Sequence, residues 1–165
     1  MATTFSSRLQ GELQAALGSG PAQDAIRVCR VVAPTTAKEL TARRGWFVAR
    51  TALRVRNPRN APTLEERAVL LDFQRRAEAG EHLSAMEYAA VVDTAGVPYV
   101  HYMRAIPTKG VCLTCHGPAV AEAVTAEIRG TYPADAATGF QLGELRGAFT
   151  FVTPLREEAA DDGED

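Results

Sequence analysis

An α+β fold with an antiparallel sheet is the class this sequence predicts, and the order of its segments predicts it. Helical apolar spacing fills the N-terminal part; short alternating segments separated by turn formers follow, with one more helix inserted among them. The composition supports a single compact unit: 165 residues, 46% apolar and 23% charged, are ordinary for a globular chain and long enough to bury a sizeable core. Residues 1–156 are expected to form one domain, and 157–165, acidic and nearly without large apolar side chains, a disordered tail.

Each element has a local warrant. Between Thr3 and Gly18, Phe5, Leu9, Leu13, Ala16 and Leu17 recur at helical spacing until Gly18-Ser19-Gly20 stops them. Pro21 suits the first turn of a second helix reaching Arg44, with Ala22, Ile26, Cys29 and Ala33 on one stripe and Pro34 expected to kink or break it. Trp46 to Arg54 alternates like a strand, and Arg56 to Pro62 is dense in turn formers. Thr63, with Glu66 three residues on, forms a capping box for a helix to about Ala79, along which Leu64, Ala68, Leu71 and Arg75 are spaced. Gly80 ends it. Tyr88–Asp93 and Val97–Ile106 read as a hairpin around Thr94-Ala95-Gly96. A short helix over 119–129, a loop over 131–143 and a last strand over 147–154 complete the chain. Helices first, then about four strands in hairpin order, fit a PAS-like sheet with the N-terminal helices packed against it.

Charge and hydropathy exclude whole classes of function. A net charge of -2 supplies no basic field for nucleic acid, and no apolar run is long enough for an integral membrane segment.

The chemistry centres on Cys112-Leu113-Thr114-Cys115-His116. Two thiols flanking two residues, with an imidazole directly after, match covalent haem attachment: each cysteine adds to a vinyl group and the histidine reaches the iron. A structural zinc site needs four ligands, and the other candidates, Cys29, His82 and His101, are not paired at metal spacing. A redox dithiol normally opens a helix in a βαβ unit, whereas this motif is expected in a loop closed by Gly117-Pro118. One haem c per chain, held by Cys112 and Cys115 with His116 as metal ligand, is therefore expected. Thioether attachment takes place in an oxidising compartment, so a periplasmic location is expected, with Met1 an expression start in place of a native leader, since 1–17 lacks a secretion signal.

For the second axial position the residues leave several candidates. Cys29 is the thiol left over, and its plain alternative is a small buried hydrophobe. Met86, Met103, His82 and His101 compete, and His101 can instead line the haem edge. Among Arg50, Arg54, Arg56 and Arg59, Arg50 and Arg56 are the chosen propionate partners, the alternative being a solvated cationic edge. Trp46, Phe47 and Tyr102 are candidate haem walls or plain core.

Several spaced motifs resemble one family. They are Ala25-Ile26-Arg27-Val28-Cys29 with Ala33-Pro34, Arg50-Thr51-Ala52-Leu53 with Arg56-Asn57-Pro58, Asn60 and Pro62, the Cys112–Gly117 run, Tyr132-Pro133 with Gly139, and Arg146-Gly147-Ala148. Together they resemble PAS-like domains carrying one c-type haem, first catalogued as a domain of unknown function and found alone or in bacterial sensor kinases and chemoreceptors. The resemblance covers nearly the whole chain except the acidic tail. It implies a PAS-like fold, a haem-based redox or gas-sensing role, and Cys29 as second axial ligand. Ala52 departs from the family, where serine is more usual after Arg-Thr.

The leading reading is thus a periplasmic sensor of redox state or of nitric oxide or carbon monoxide, with a ligand that leaves the iron on reduction. Its partners would be a small gas or a redox protein, and a second copy or a signalling protein would receive the signal. A small electron-transfer cytochrome c is the alternative. An enzyme acting on a nitrogen oxide or a peroxide ranks third, with no catalytic residue assigned.

Overall fold

The two N-terminal helices form where their apolar spacing dictates: α1 spans Ala2–Ser19 and α2 spans Asp24–Arg44. The computed structural model describes residues 2–155, apart from the side chains of 2, 3, 27–29, 43, 44 and 94; the tail expected at 157–165 lies outside the described residues. Pro21 sits before α2 in a turn, its carbonyl accepting from Asp24 N at 2.9 Å, rather than in the first helical turn. Pro34 neither ends nor divides α2. A proline inside a helix removes one backbone bond and costs about 3 kcal/mol. Val32, Ala33, Ala37 and Leu40 pack against the core on both sides of it, which holds the helix through that position.

The chain then turns at Gly45 into β1 (Phe47–Thr51). This strand is shorter than the alternation over 46–54 suggests, because Ala52 N donates to Asn60 O at 3.3 Å and leaves the ladder. A 3-10 turn at Pro58–Asn60 follows. Helix α3 (Leu64–Glu78) begins with the expected capping box, Thr63 Oγ1 accepting from Glu66 N and Glu66 accepting from Thr63 N. Its buried face is Glu66, Val69, Leu70 and Phe73; the row Leu64, Ala68, Leu71, Arg75 is exposed. Burying that row would have taken the Arg75 guanidinium, paired with Asp72, out of water, whereas Val69, Leu70 and Phe73 offer apolar side chains.

Strands β2 (Glu87–Thr94) and β3 (Val97–Pro107) form the expected hairpin, and β4 (Leu145–Pro154) inserts between β3 and β1, giving an antiparallel sheet of order β1-β4-β3-β2. The fold class is the α+β, PAS-like arrangement the sequence suggests. Because side chains alternate across a strand, β3 and β4 each build two cores. Met103, Ala105 and Ala148 pack under α3 with Leu70, Phe73, Leu83 and Met86. On the other face Phe149 and Phe151 meet Phe5, Leu9 and Val48 beneath α1 and α2, with Phe5 edge-on to Phe149 at 5.1 Å. The sheet is therefore a middle layer. Between β3 and β4 lie α4 (Gly110–His116) and α5 (Glu122–Thr131); Val124 and Ile128 of α5 close on Ile26 of α2. Among the described residues no helix is long and apolar enough to cross a membrane.

Candidate functional site

The attachment motif forms helix α4 rather than the expected loop. Seven residues are too few for a stable isolated helix, so α4 depends on what holds it. Arg56 does most of this. Its Nε donates to Asp135 Oδ1 at 3.1 Å, and its Nη2 donates to Asp135 Oδ2 at 3.2 Å and to the carbonyl of Cys115 at 2.7 Å. The segment after α5 folds back along the end of α4: Phe140 N donates to His116 O, and Gly139 N to Gly117 O, both at 2.9 Å. Gly117 ends α4 where its N donates to Leu113 O at 3.0 Å and a Cβ would lie 2.6 Å from that same carbonyl.

Held this way, Cys112, Cys115 and His116 all line one cavity of about 700 Å³ between the α1–α2 layer and the sheet. Its apolar wall comes from Phe5, Leu9, Ile26, Val48, Ile106 and Phe149. Around it stand Arg30, Arg50, Arg56, Arg59 and Arg146, and no aspartate or glutamate lines it among the described residues. Gly147 lets β1 and β4 close beside the cavity, since a Cβ there would lie 2.4 Å from Thr51 O.

His116 is oriented by its ring nitrogens. Nδ1 lies 2.6 Å from Ala137 O, and since a carbonyl only accepts, Nδ1 carries the proton. Burial first, then Arg146 and Arg56, hold its pKa well below the usual imidazole value, so the ring is neutral at neutral pH. Nε2 then carries the unprotonated lone pair a metal requires, with Arg146 Nη2 3.5 Å from it, and an outer hydrogen bond on the opposite nitrogen is the usual support for a ligating histidine. Phe140 stands edge-on to the ring at 6.2 Å, and the Arg54 guanidinium covers Phe140 at 3.7 Å. Two thiols one helical turn apart and an unprotonated imidazole nitrogen on one largely apolar cavity suit a flat apolar ligand with two electrophilic carbons and a metal.

Other nominated residues are divided by the sheet. Arg50 joins the cavity. Arg56 lines it too, but the edge expected to meet a propionate is taken by Asp135. His101 does not join: it is buried on the opposite face of the sheet, with Nε2 3.0 Å from Thr150 Oγ1 and its ring against Tyr88. Strand alternation explains the separation, since His101 shares its face with Met103 and Ala105. Met86 and Met103 are fully buried under α3, and His82 precedes a 3-10 turn at Leu83–Ala85 away from the cavity. Cys29 falls within α2, and its side chain lies outside the described residues. Two contributors were not nominated from the sequence. Arg146 stood in the Arg146-Gly147-Ala148 motif of the family resemblance but without a chemical role, and the Ala137 carbonyl is backbone and invisible to residue type. Among the described residues no three of His, Cys, Asp and Glu gather as a metal cluster.

A family model, Tll0287-like, matches residues 1–154. The chain belongs to the Tll0287-like family. A solved structure of the cyanobacterial haem protein Tll0287 is similar to it at 30% identity and a TM-score of 0.69, over 95% of this chain and 94% of that one. No curated protein matches. The family match ends at the last residue of β4, so it takes in every element around the cavity.

Proposed function

We propose that this member of the Tll0287-like family is a c-type haem protein, with one haem attached through Cys112 and Cys115 and ligated by His116, and that it works as a redox or gas sensor. The observation that carries the reading is the convergence of both thiols and the unprotonated Nε2 of His116 on one largely apolar cavity. Its volume of about 700 Å³ lies in the range of cofactor sites. The haem reported in the similar cyanobacterial structure supports the same group here. Bound in this way, haem supplies an iron centre that changes oxidation state and takes diatomic gases.

The protein's part is to hold and shield. Cys112 and Cys115 fix the macrocycle to α4, Ala137 O keeps His116 in the ligating tautomer, and the α1–α2 layer keeps water from the inner face. For the opposite face the proposed ligand is Cys29. Ile26 and Ala33, about one turn to either side of it along α2, line the cavity, whereas the rival methionines and His101 belong to the other core. A thiolate there favours ferric iron, and its departure on reduction would release α2 locally, a movement a partner or a second copy can register. A periplasmic location goes with the reading because thioether formation takes place in oxidising compartments.

The test is an alkaline pyridine spectrum together with the intact mass of the purified protein. Haem that stays with the chain after acid–acetone extraction, at one per chain, is the expected result; a chain stripped of haem by that treatment would sink the attachment. Cys29→Ala should then abolish the thiolate-to-iron charge-transfer band of the ferric protein and raise the potential. A wild type that keeps both ligands in both oxidation states and ignores carbon monoxide and nitric oxide would be an electron carrier instead.

A further inference from the structure

The arginines of the cavity are not equivalent, and the difference lies in which hydrogens are used. Arg56 and Arg146 both present the guanidinium edge formed by Nε and Nη2, whose two N–H groups point the same way and match a carboxylate bidentately. On Arg56 that edge is filled by Asp135, at 3.1 and 3.2 Å. On Arg146, which is only 8% exposed, Nη1 donates to Arg54 O at 3.4 Å, but Nε is buried with no hydrogen-bond partner among the described residues. Its Nη2 lies 3.5 Å from Nε2 of His116. A nitrogen lone pair given to a metal no longer accepts a hydrogen bond, so with His116 acting as ligand both donors of that edge need another acceptor.

Among the described residues no carboxylate lines the cavity, and the nearby Asp135 is engaged by Arg56. Phe140 takes one face of the guanidinium, with the cation 5.0 Å from the ring centre. An unpaired buried charge is expensive, and a charged donor without an acceptor more so.

We propose that the Nε–Nη2 edge of Arg146 binds a carboxylate of the bound haem, the role the sequence suggested for Arg56. This rests on the haem reading above. Arg56 then belongs to the scaffold that holds α4, and Arg146 to the group that holds the cofactor. Small free carboxylates share the same chemistry, and the experiment separates the two sources.

The holoprotein is compared with Arg146→Lys and Arg146→Gln by resonance Raman spectroscopy and redox titration, after the alkaline pyridine spectrum has shown covalent haem in all three. Absence of covalent haem from the wild type overturns the site reading itself, before Arg146 enters. With haem present, the propionate bending bands should shift in both variants, and the potential should fall in Arg146→Gln, which loses a cation, more than in Arg146→Lys, which loses only the fork. Unchanged bands in both variants overturn the proposal. So does an absorption change on adding acetate that only the wild type shows, with the propionate bands unmoved, because the carboxylate would then be a free one. Should neither variant fold, transfer of the wild-type holoprotein to heavy water decides: propionate bands that do not move there have no N–H partner and overturn it.

Discussion

At Arg56 one guanidinium ties together three stretches that are far apart in sequence: the turn after β1, the end of α4 and the loop after α5. Asp135 makes this affordable, with both side chains nearly enclosed. Removing one partner of a buried pair leaves a charge without compensation, at a cost of about 3–5 kcal/mol. Asp135→Asn should therefore lower the stability of the folded chain by about 3 kcal/mol in urea titration. It should also reduce the yield of haem attached, because Cys115 O loses its fixed donor. An unchanged unfolding midpoint would mean that α4 is held by backbone pairing alone. Gly147 is a second single-residue constraint. A methyl group there meets Thr51 O and the Cβ of Ala52, both backbone-anchored. Gly147→Ala should part β1 from β4 beside the cavity and destabilise by a few kcal/mol, about the size of a core overpacking error. A variant with wild-type thermal midpoint would show that β1 shifts without loss.

Among the elements, the β2–β3 hairpin is closed by Ala95 and Gly96, both at positive φ, 55° and 82°. This is the two-residue turn whose twist matches antiparallel strands, and alanine is a poor occupant of its first position. Ala95→Asn should raise stability by about 0.5–1 kcal/mol, seen as a higher melting temperature with unchanged spectra; a lower one would mean that the alanine methyl has a packing role. The elements also show where local sequence speaks and where it stops. The capping box at Thr63 and Glu66 and the hairpin around 94–96 are local in cause, and both form where their residues stand. Pro34 spoke locally for a break and was outweighed by packing on either side of it, a tertiary effect no local window contains. The same holds for α4: the Cys-x-x-Cys-His spacing points to the proposed chemistry, but the helix exists because Arg56 and the 137–140 return strap it, both distant in sequence. Sheet alternation separated His101 from the cavity, and only the pairing of β3 with β4 decides which face is which. Of the candidate site, the thiols and the histidine were legible from spacing. The choice of Arg146 as the proposed carboxylate partner was not, because forked arginines look alike until the acids are counted around them.

The molecule as a whole is two cores that share a sheet, and they are unequal. Under α3 the packing is complete, with Leu70, Phe73, Met86, Met103 and Ala148 all fully buried. On the other face part of the space between α1, α2 and the sheet is the cavity itself, so the packing of those helices includes whatever fills it. A bound macrocycle would supply apolar contact across that gap and join α2 to α4 through its own substance, stabilising by linkage the half of the protein that holds it. Loss of the haem should therefore be felt asymmetrically. Protein made without the haem-attachment machinery should keep slow amide exchange in β3, β4 and α3, while amides of α1 and α2 exchange faster by one to two orders of magnitude, roughly the effect of a lost stabilisation of 1.4–3 kcal/mol. Hydrogen exchange read by mass spectrometry resolves the two halves. Equal acceleration under α3 would mean that the domain unfolds as one unit and that α2 cannot report on the iron independently of the sheet. Confined to the N-terminal layer, the change marks α1 and α2 as the part of the fold whose order depends on what the cavity holds, which is the property a sensor must have.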